Sequence, residues 1–209
     1  MAPKEQTAYF YGILAACNTG EKNTRKSLEL ITKALTLDAK TAVFLEKVRD
    51  KKFNEAYKMI GIDDPSGLLD RVFRFDGECK QCGKCCRDVM LFYEQKLIES
   101  KEEFDGVCKK LPDYKRFVPS KTDHGRIRFA CEKLNSVGHC TDYENRPASC
   151  SIYPNYVTPH LKEGCGYRMK IEPGPISGIK EMNAVGLHLF RVGLYKECID
   201  LFKDIEKAL

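Results

Sequence analysis

Cys79-Lys80-Gln81-Cys82-Gly83-Lys84-Cys85-Cys86 places four thiols within eight residues. A two-residue gap between cysteines lets both sulfurs turn toward one metal, while the amides between them stay free to donate hydrogen bonds to the thiolates. Gly83 permits the tight backbone turn that this needs. Three cysteines at that gap are also how bacterial ferredoxins present thiolates to a [4Fe–4S] cluster. Adjacent Cys85 and Cys86 make poor disulfide partners for each other, because a bridge would strain the peptide between them.

Downstream, Cys131, Cys140, Cys150 and Cys165 bring the candidate ligands to eight: Cys79, Cys82, Cys85, Cys86 and these four. The chain has 11 cysteines, and an odd total leaves at least one thiol over in any all-disulfide scheme. Near the start, Leu14-Ala15-Ala16-Cys17 resembles a lipoprotein cleavage box. Glu5 offsets Lys4, however, and two tyrosines interrupt the apolar run, so an ordinary first helix is expected. The expectation that follows is a cytoplasmic chain whose cysteines are reduced and serve as thiolate ligands.

Cys140-Thr-Asp-Tyr143-Glu-Asn-Arg146-Pro147-Ala-Ser-Cys150-Ser-Ile-Tyr153-Pro154, together with the CxxCxxCC run, resembles the YkgJ-type cysteine-cluster family of zinc- or iron-chelating proteins. The same module is similar to the cysteine-rich part of flagellin lysine methylases, which are thought to depend on an iron–sulfur cluster. The resemblance covers about residues 75–168 and leaves the flanking helices aside. Two positions depart from it. Asp142 stands where the family often has an aliphatic residue, and Ser151 stands where it often has Arg. The resemblance and the repeated two-residue gap point toward a [4Fe–4S] cluster, with zinc as the alternative, since both metals accept four thiolates. Three sulfurs from residues 79–86 with Cys150 or Cys165 form the expected set. Two four-thiolate sites, or one cluster with spare thiols, both stay open.

Four thiolates around Zn²⁺ leave a charge of about −2, which nearby cations must offset. Lys80, Lys84, Arg87, Arg146 and Arg168 lie near candidate ligands, and Lys80 and Lys84 read as solvated. Arg146 precedes Pro147 and suits a planar hydrogen-bonding fork beside the cofactor. Tyr143 is expected beside the cofactor with it, packing rather than reacting, as is Tyr153. Cys17, Cys108 and Cys198 read as packing residues. Of the scattered His124, His139, His160 and His188, only His139, beside Cys140, is a candidate to touch a metal.

The remaining chain predicts a mainly α protein. Residues 1–75 form a helical segment, with Leu28, Ile31 and Leu35 on one face of its second helix and Ser27 and Ala34 alongside, Asp38 capping the third and Gly61 ending the fourth. Residues 76–175 form a Cys-rich metal-binding domain that holds seven of the nine prolines. Its short strands fall near Val89–Tyr93 and Arg126–Ala130, a helix near Gln95–Lys110, and it has too few apolar residues for a conventional core. Metal is expected to staple this irregular, loop-rich centre. Residues 176–209 predict a tetratricopeptide-like helical hairpin (Gly186, Leu189, Gly193, Tyr195, Cys198, Phe202) packing on the N-terminal helices.

The other function classes are thin. A surplus of five positive charges is too mild for a nucleic-acid-binding face. The basic run Lys109, Lys110, Lys115, Arg116 and Lys121 reads as a solvated loop. No apolar stretch approaches ~18 residues, so no membrane-spanning helix is expected. None of the 15 glycines builds a dinucleotide or ATP cradle. The expected roles are electron transfer or support of a partner enzyme, or else a zinc-stapled module that binds another protein. Whether the chain is an enzyme is not legible, and a reactive thiol at Cys85 or Cys86 is the weakest reading.

Overall fold

The computed structural model describes residues 3–94, 96–123, 126–157 and 159–206. His124, Gln95 and the last three positions of the expected C-terminal helix lie outside the described residues. In chain order the helices are α1 (Pro3–Gly20), α2 (Thr24–Leu37), α3 (Thr41–Arg49), α4 (Phe53–Ile60), α5 (Ser66–Val72), α6 (Lys101–Lys110), α7 (Ala148–Ser151), α8 (Ile179–Arg191) and α9 (Tyr195–Glu206). The strands are β1 (Phe73–Gly77), β2 (Phe92–Tyr93), β3 (Lys96–Leu97), β4 (Phe117–Asp123), β5 (Arg126–Cys131) and β6 (Tyr167–Ile171). They pair as β1–β6, β2–β3 and β4–β5. The protein is mainly α, about 52% helical. No described helix is long and apolar enough to cross a membrane.

The chain divides into two compact units, Met1–Arg74 with Lys170–Leu209, and Phe75–Met169. In the first, α1 buries Ala8, Tyr9, Phe10, Tyr11, Ile13, Leu14, Ala15 and Cys17. A helix apolar on every side must be surrounded, and α2, α3, α8 and α9 all pack on it. The Phe10 and Phe202 rings stack at 4.5 Å, fixing α1 to α9. Gly186 lets the Phe202 ring lie directly against α8, where any side chain would collide with it. Two buried amides, Asn183 and Gln6, are linked: Asn183 Nδ2 donates to the backbone and side-chain oxygens of Gln6, and Gln6 Nε2 donates to Ile60 O.

Two expectations for this unit change. α2 centres its inward face on Ser27 and Ala34, expected only alongside it, and on Leu30, while Leu28 and Leu35 turn outward and Leu28 is 60% exposed. Small side chains let α2 approach α1 closely, and Ser27 Oγ donates to Ala15 O at 3.0 Å. Asp38 does not cap α3 directly. Its carboxylate accepts from Lys40 N–H one turn ahead of the helix, and Lys40 holds the cap position.

The second unit has an apolar core of its own, contrary to the expectation that it lacks one. Leu91, Ile98, Phe104, Val107, Phe117 and Phe129 form a buried cluster, with the Phe104 and Phe129 rings 4.6 Å apart. α6 begins at Lys101, later than expected, because Ser100 Oγ accepts from Glu103 N–H and Glu103 reaches back to Glu99 N–H. The first strand shrinks to Phe92–Tyr93, with Val89 bridging Phe129. The stretch read as a basic loop instead makes a 3-10 turn over Pro112–Arg116 and then β4, which pairs antiparallel with β5 from Phe117↔Cys131 to Asp123↔Arg126.

Candidate metal centre

All eight candidate ligands are free thiols of intermediate exposure. Cys79 follows β1, and its sulfur accepts from Gln81 N–H at 3.4 Å, as the two-residue gap predicts. Gln81 and Gly83 both take left-handed backbone angles, φ 51 and φ 68. Cys85 and Cys86 then open a 3-10 turn that runs to Arg87, with their sulfurs 4.0 Å apart.

Close approach of backbones brings the loops to one place. At Gly83 an added side chain would strike the carbonyl oxygen of Gly138, and at Gly138 (φ 90) it would crowd the Arg87 guanidinium. The 79–86 loop therefore lies directly on the turn between Cys131 and Cys140. Lys84 Nζ donates to Glu163 O at 2.7 Å, and Lys162 Nζ pairs with Asp88 at 2.7 Å, so the turn that carries Cys165 closes over the same loop. Lys84 is exposed, as expected, and also ties two loops together. Cys131 ends β5 and Cys150 sits in α7, and both pack against the Phe104–Phe129 cluster, as does Cys108.

The sulfurs influence one another's ionisation. The Cys85 thiol is drawn down to about 6, chiefly by its hydrogen bond with Cys86 and with help from backbone amides and the Lys162 cation. Cys86 is pushed up by that same hydrogen bond, by burial and by the neighbouring sulfurs of Cys85, Cys131 and Cys150. Burial raises Cys150 to about 11, and burial also raises Cys131, which lies near Cys140. Burial, with the sulfurs of Cys85, Cys165 and Cys82 around it, raises Tyr153 to about 12. Its hydroxyl donates to His160 O.

These contacts draw Cys85, Cys86, Cys131 and Cys150 into one neighbourhood, and Cys82, Cys85 and Cys165 around Tyr153. They do not close into a chelate: among the described residues, no three His, Cys, Asp or Glu side chains stand as a set that could hold a metal ion. The donor chemistry still fits a soft metal. The thiols are reduced and half-buried and come from separate loops, and burial favours the neutral form of Cys131 and Cys150 until a cation arrives to stabilise the thiolates.

Arg146 Cζ lies over the Tyr143 ring, 3.7 Å from its centroid, and Arg146 Nε donates to Tyr143 O at 2.8 Å. Tyr143 in turn lies near Cys79, and burial, more than that sulfur, raises its pKa. His139 engages Asn135 through its backbone. His188 packs against Phe73 inside the helical unit. Two ion pairs escaped the sequence reading. Arg116 pairs with Asp142 at 3.0 Å, and Lys162 pairs with Asp88. Both pairings span stretches of chain that no local pattern links. Asp142, one of the two departures, is therefore an anchor for the Cys140–Cys150 loop. The other, Ser151, donates to Ala148 O within α7.

Residues 78–171 match the model of the CxxCxxCC family, whose description is "Putative zinc- or iron-chelating domain". No curated protein and no solved structure matches the chain.

Proposed function

We propose that this CxxCxxCC domain holds an iron–sulfur cluster of the [4Fe–4S] type, through three cysteines of residues 79–86 and a fourth from Cys150 or Cys165, and that it serves electron transfer or supports a partner enzyme in the cytoplasm. One observation carries the reading: the 79–86 loop lies against the 131–140 turn and is tied to the 160–165 turn, so free thiols far apart in sequence share one neighbourhood. A bound cluster would supply one-electron chemistry. The protein's own residues would set its surroundings. Gln81 N–H is already aimed at the Cys79 sulfur, Lys162 offsets negative charge near Cys85, and Arg146 and Tyr143 hold the loop against Cys79.

A second reading has its own support. In a tetrahedral zinc site, with Zn–S about 2.3 Å, neighbouring sulfurs stand about 3.8 Å apart. The 4.0 Å between Cys85 and Cys86 is close to that edge. On this reading zinc staples the loops, and the helical hairpin, tetratricopeptide-like in its residue spacing, binds another protein.

Metal and sulfide analysis with a visible spectrum, on protein purified without oxygen, separates the two. Iron and acid-labile sulfide in equal, stoichiometric amounts, with a brown colour that bleaches on reduction, support the cluster. Stoichiometric zinc in a colourless protein removes it and leaves the zinc reading.

A further inference from the structure

Only two of the 11 cysteines lie outside the unit Phe75–Met169. They are Cys17 on α1 and Cys198 on α9, 181 positions apart, and both are fully buried. Their sulfurs lie 2.6 Å apart. Unbonded carbon atoms keep roughly 3.5–4.0 Å between them, and sulfur is larger. A sulfur–sulfur bond is about 2.03–2.05 Å. The sulfurs therefore stand closer than two unbonded thiols do.

The surroundings leave little room for the sulfurs to draw apart. Phe10 and Phe202 stack at 4.5 Å on the same two helices, and Gly20 at the end of α1 takes the Tyr195 ring at the start of α9. Gly186 O lies 3.7 Å from Cys198 Sγ on the side of α8. No metal explains the pairing, because no third ligand stands with it among the described residues.

We propose that Cys17 and Cys198 are joined by a disulfide, a covalent tie between the first and last helices of the helical unit. Forming the bond removes two protons and two electrons from the thiols. A low-molecular-weight disulfide such as oxidised glutathione accepts them and leaves as two thiols. The exchange passes through a mixed disulfide and needs an accessible thiolate, whereas burial strongly raises the Cys17 pKa in the folded unit. The bond therefore forms as α9 docks, and once docked it is out of reach of reducing thiols. The half-exposed thiols of the other unit have no such protection, so the two groups of cysteines keep separate chemistry within one chain.

The test is a peptide map of the full chain, refolded from the reduced, denatured state in a mixture of oxidised and reduced glutathione. Remaining thiols are blocked with iodoacetamide in denaturant, and the chain is cut with trypsin without reduction. The fragments Glu5–Lys22 and Glu197–Lys203 are expected as one linked species that separates on reduction. Recovering both as separate alkylated peptides overturns the proposal, as does finding either linked to a cysteine of residues 79–165. As a second readout, reductant should lower the thermal midpoint of the helical unit, and Cys198→Ala should abolish that shift. A midpoint shift of equal size in Cys198→Ala also counts against the bridge.

Discussion

The approach of the two cysteine loops depends on Gly83, and replacing it by alanine tests that dependence directly. At φ 68 an L residue loses roughly 1–2 kcal/mol relative to glycine. The new Cβ would also meet the Gly138 carbonyl and sit 2.9 Å from Leu134 Cδ1. The carbonyl belongs to backbone and cannot rotate away, so the strain is relieved by the 79–86 loop lifting from the 131–140 turn. A cost of about 1–2 kcal/mol lowers the equilibrium constant for closing the loop roughly 5–30-fold. Because metal binding is linked to folding of its ligand loops, affinity falls by the same factor. Gly106→Ala is the matched control. It lies inside α6 with nothing within 4 Å of an added Cβ, so it should stabilise the domain by about 0.5–1 kcal/mol. Competition with a chromophoric chelator reads the affinity, and urea denaturation reads the stability. If Gly83→Ala binds metal as tightly as the parent chain, or if both alanines weaken it equally, the loop contact does not govern the site.

Phe129→Ala should lower the stability of the Cys-rich unit by roughly 3–5 kcal/mol, seen as a reduced urea midpoint, because it empties the centre of the cluster around Phe104; an unchanged midpoint would deny that core. Asp142 is held below the usual carboxylate range by hydrogen bonding from Asn145 first and by Arg116 as well. Its stabilisation is therefore present above the unfolded value of about 3.9 and is lost as pH falls through the lower folded value. The stability difference between the parent chain and Asp142→Asn should be constant above about pH 6 and shrink below about pH 4. Acid release of metal is common to both chains and cancels in the difference, so a gap that widens in acid would refute the pairing. Removing metal with a chelator should speed amide exchange in residues 79–89 and 160–165 while the β4–β5 ladder stays protected. Loss of protection across β4–β5 would mean that metal, not the aromatic cluster, supports that hairpin.

The two-residue cysteine gap was legible because it is a local rule: the hydrogen bond from Gln81 and the left-handed Gly83 follow from residues within the motif itself. α1 and the end of α4 were legible for similar reasons, one from a continuous apolar run and the other from the glycine cap at Gly61. The inward face of α2 was legible only in part: Ser27 and Ala34 were placed beside it, but Leu30 was not. Leu28, Ile31 and Leu35 and the observed Ser27, Leu30 and Ala34 share one helical spacing, offset by a single residue. Hydrophobicity favoured the first set, but close packing against α1 and the carbonyl of Ala15 favoured the second. The aromatic core of the second unit was hidden for another reason. Leu91, Ile98, Phe104, Phe117 and Phe129 come one or two at a time from separate short elements, so no window of sequence carries a periodic signal.

That hidden core alters what a metal is needed for. Cys131 and Cys150 lie at its margin, already packed against the aromatic cluster, whereas Cys79, Cys82, Cys85 and Cys86 sit on a loop held by glycine contacts, single hydrogen bonds and exposed or half-exposed ion pairs. Exposed pairs contribute at most about 1 kcal/mol each. One side of the centre is therefore rigid before metal arrives, and the other is held by weak ties that a metal–thiolate bond would far exceed. A centre that joined thiols from the rigid side to thiols from the loop would lock the loop in place. A centre confined to the 79–86 run would leave the aromatic cluster and the loop energetically uncoupled. Cys86 lies near Cys131 and Cys150, as the bridging arrangement requires.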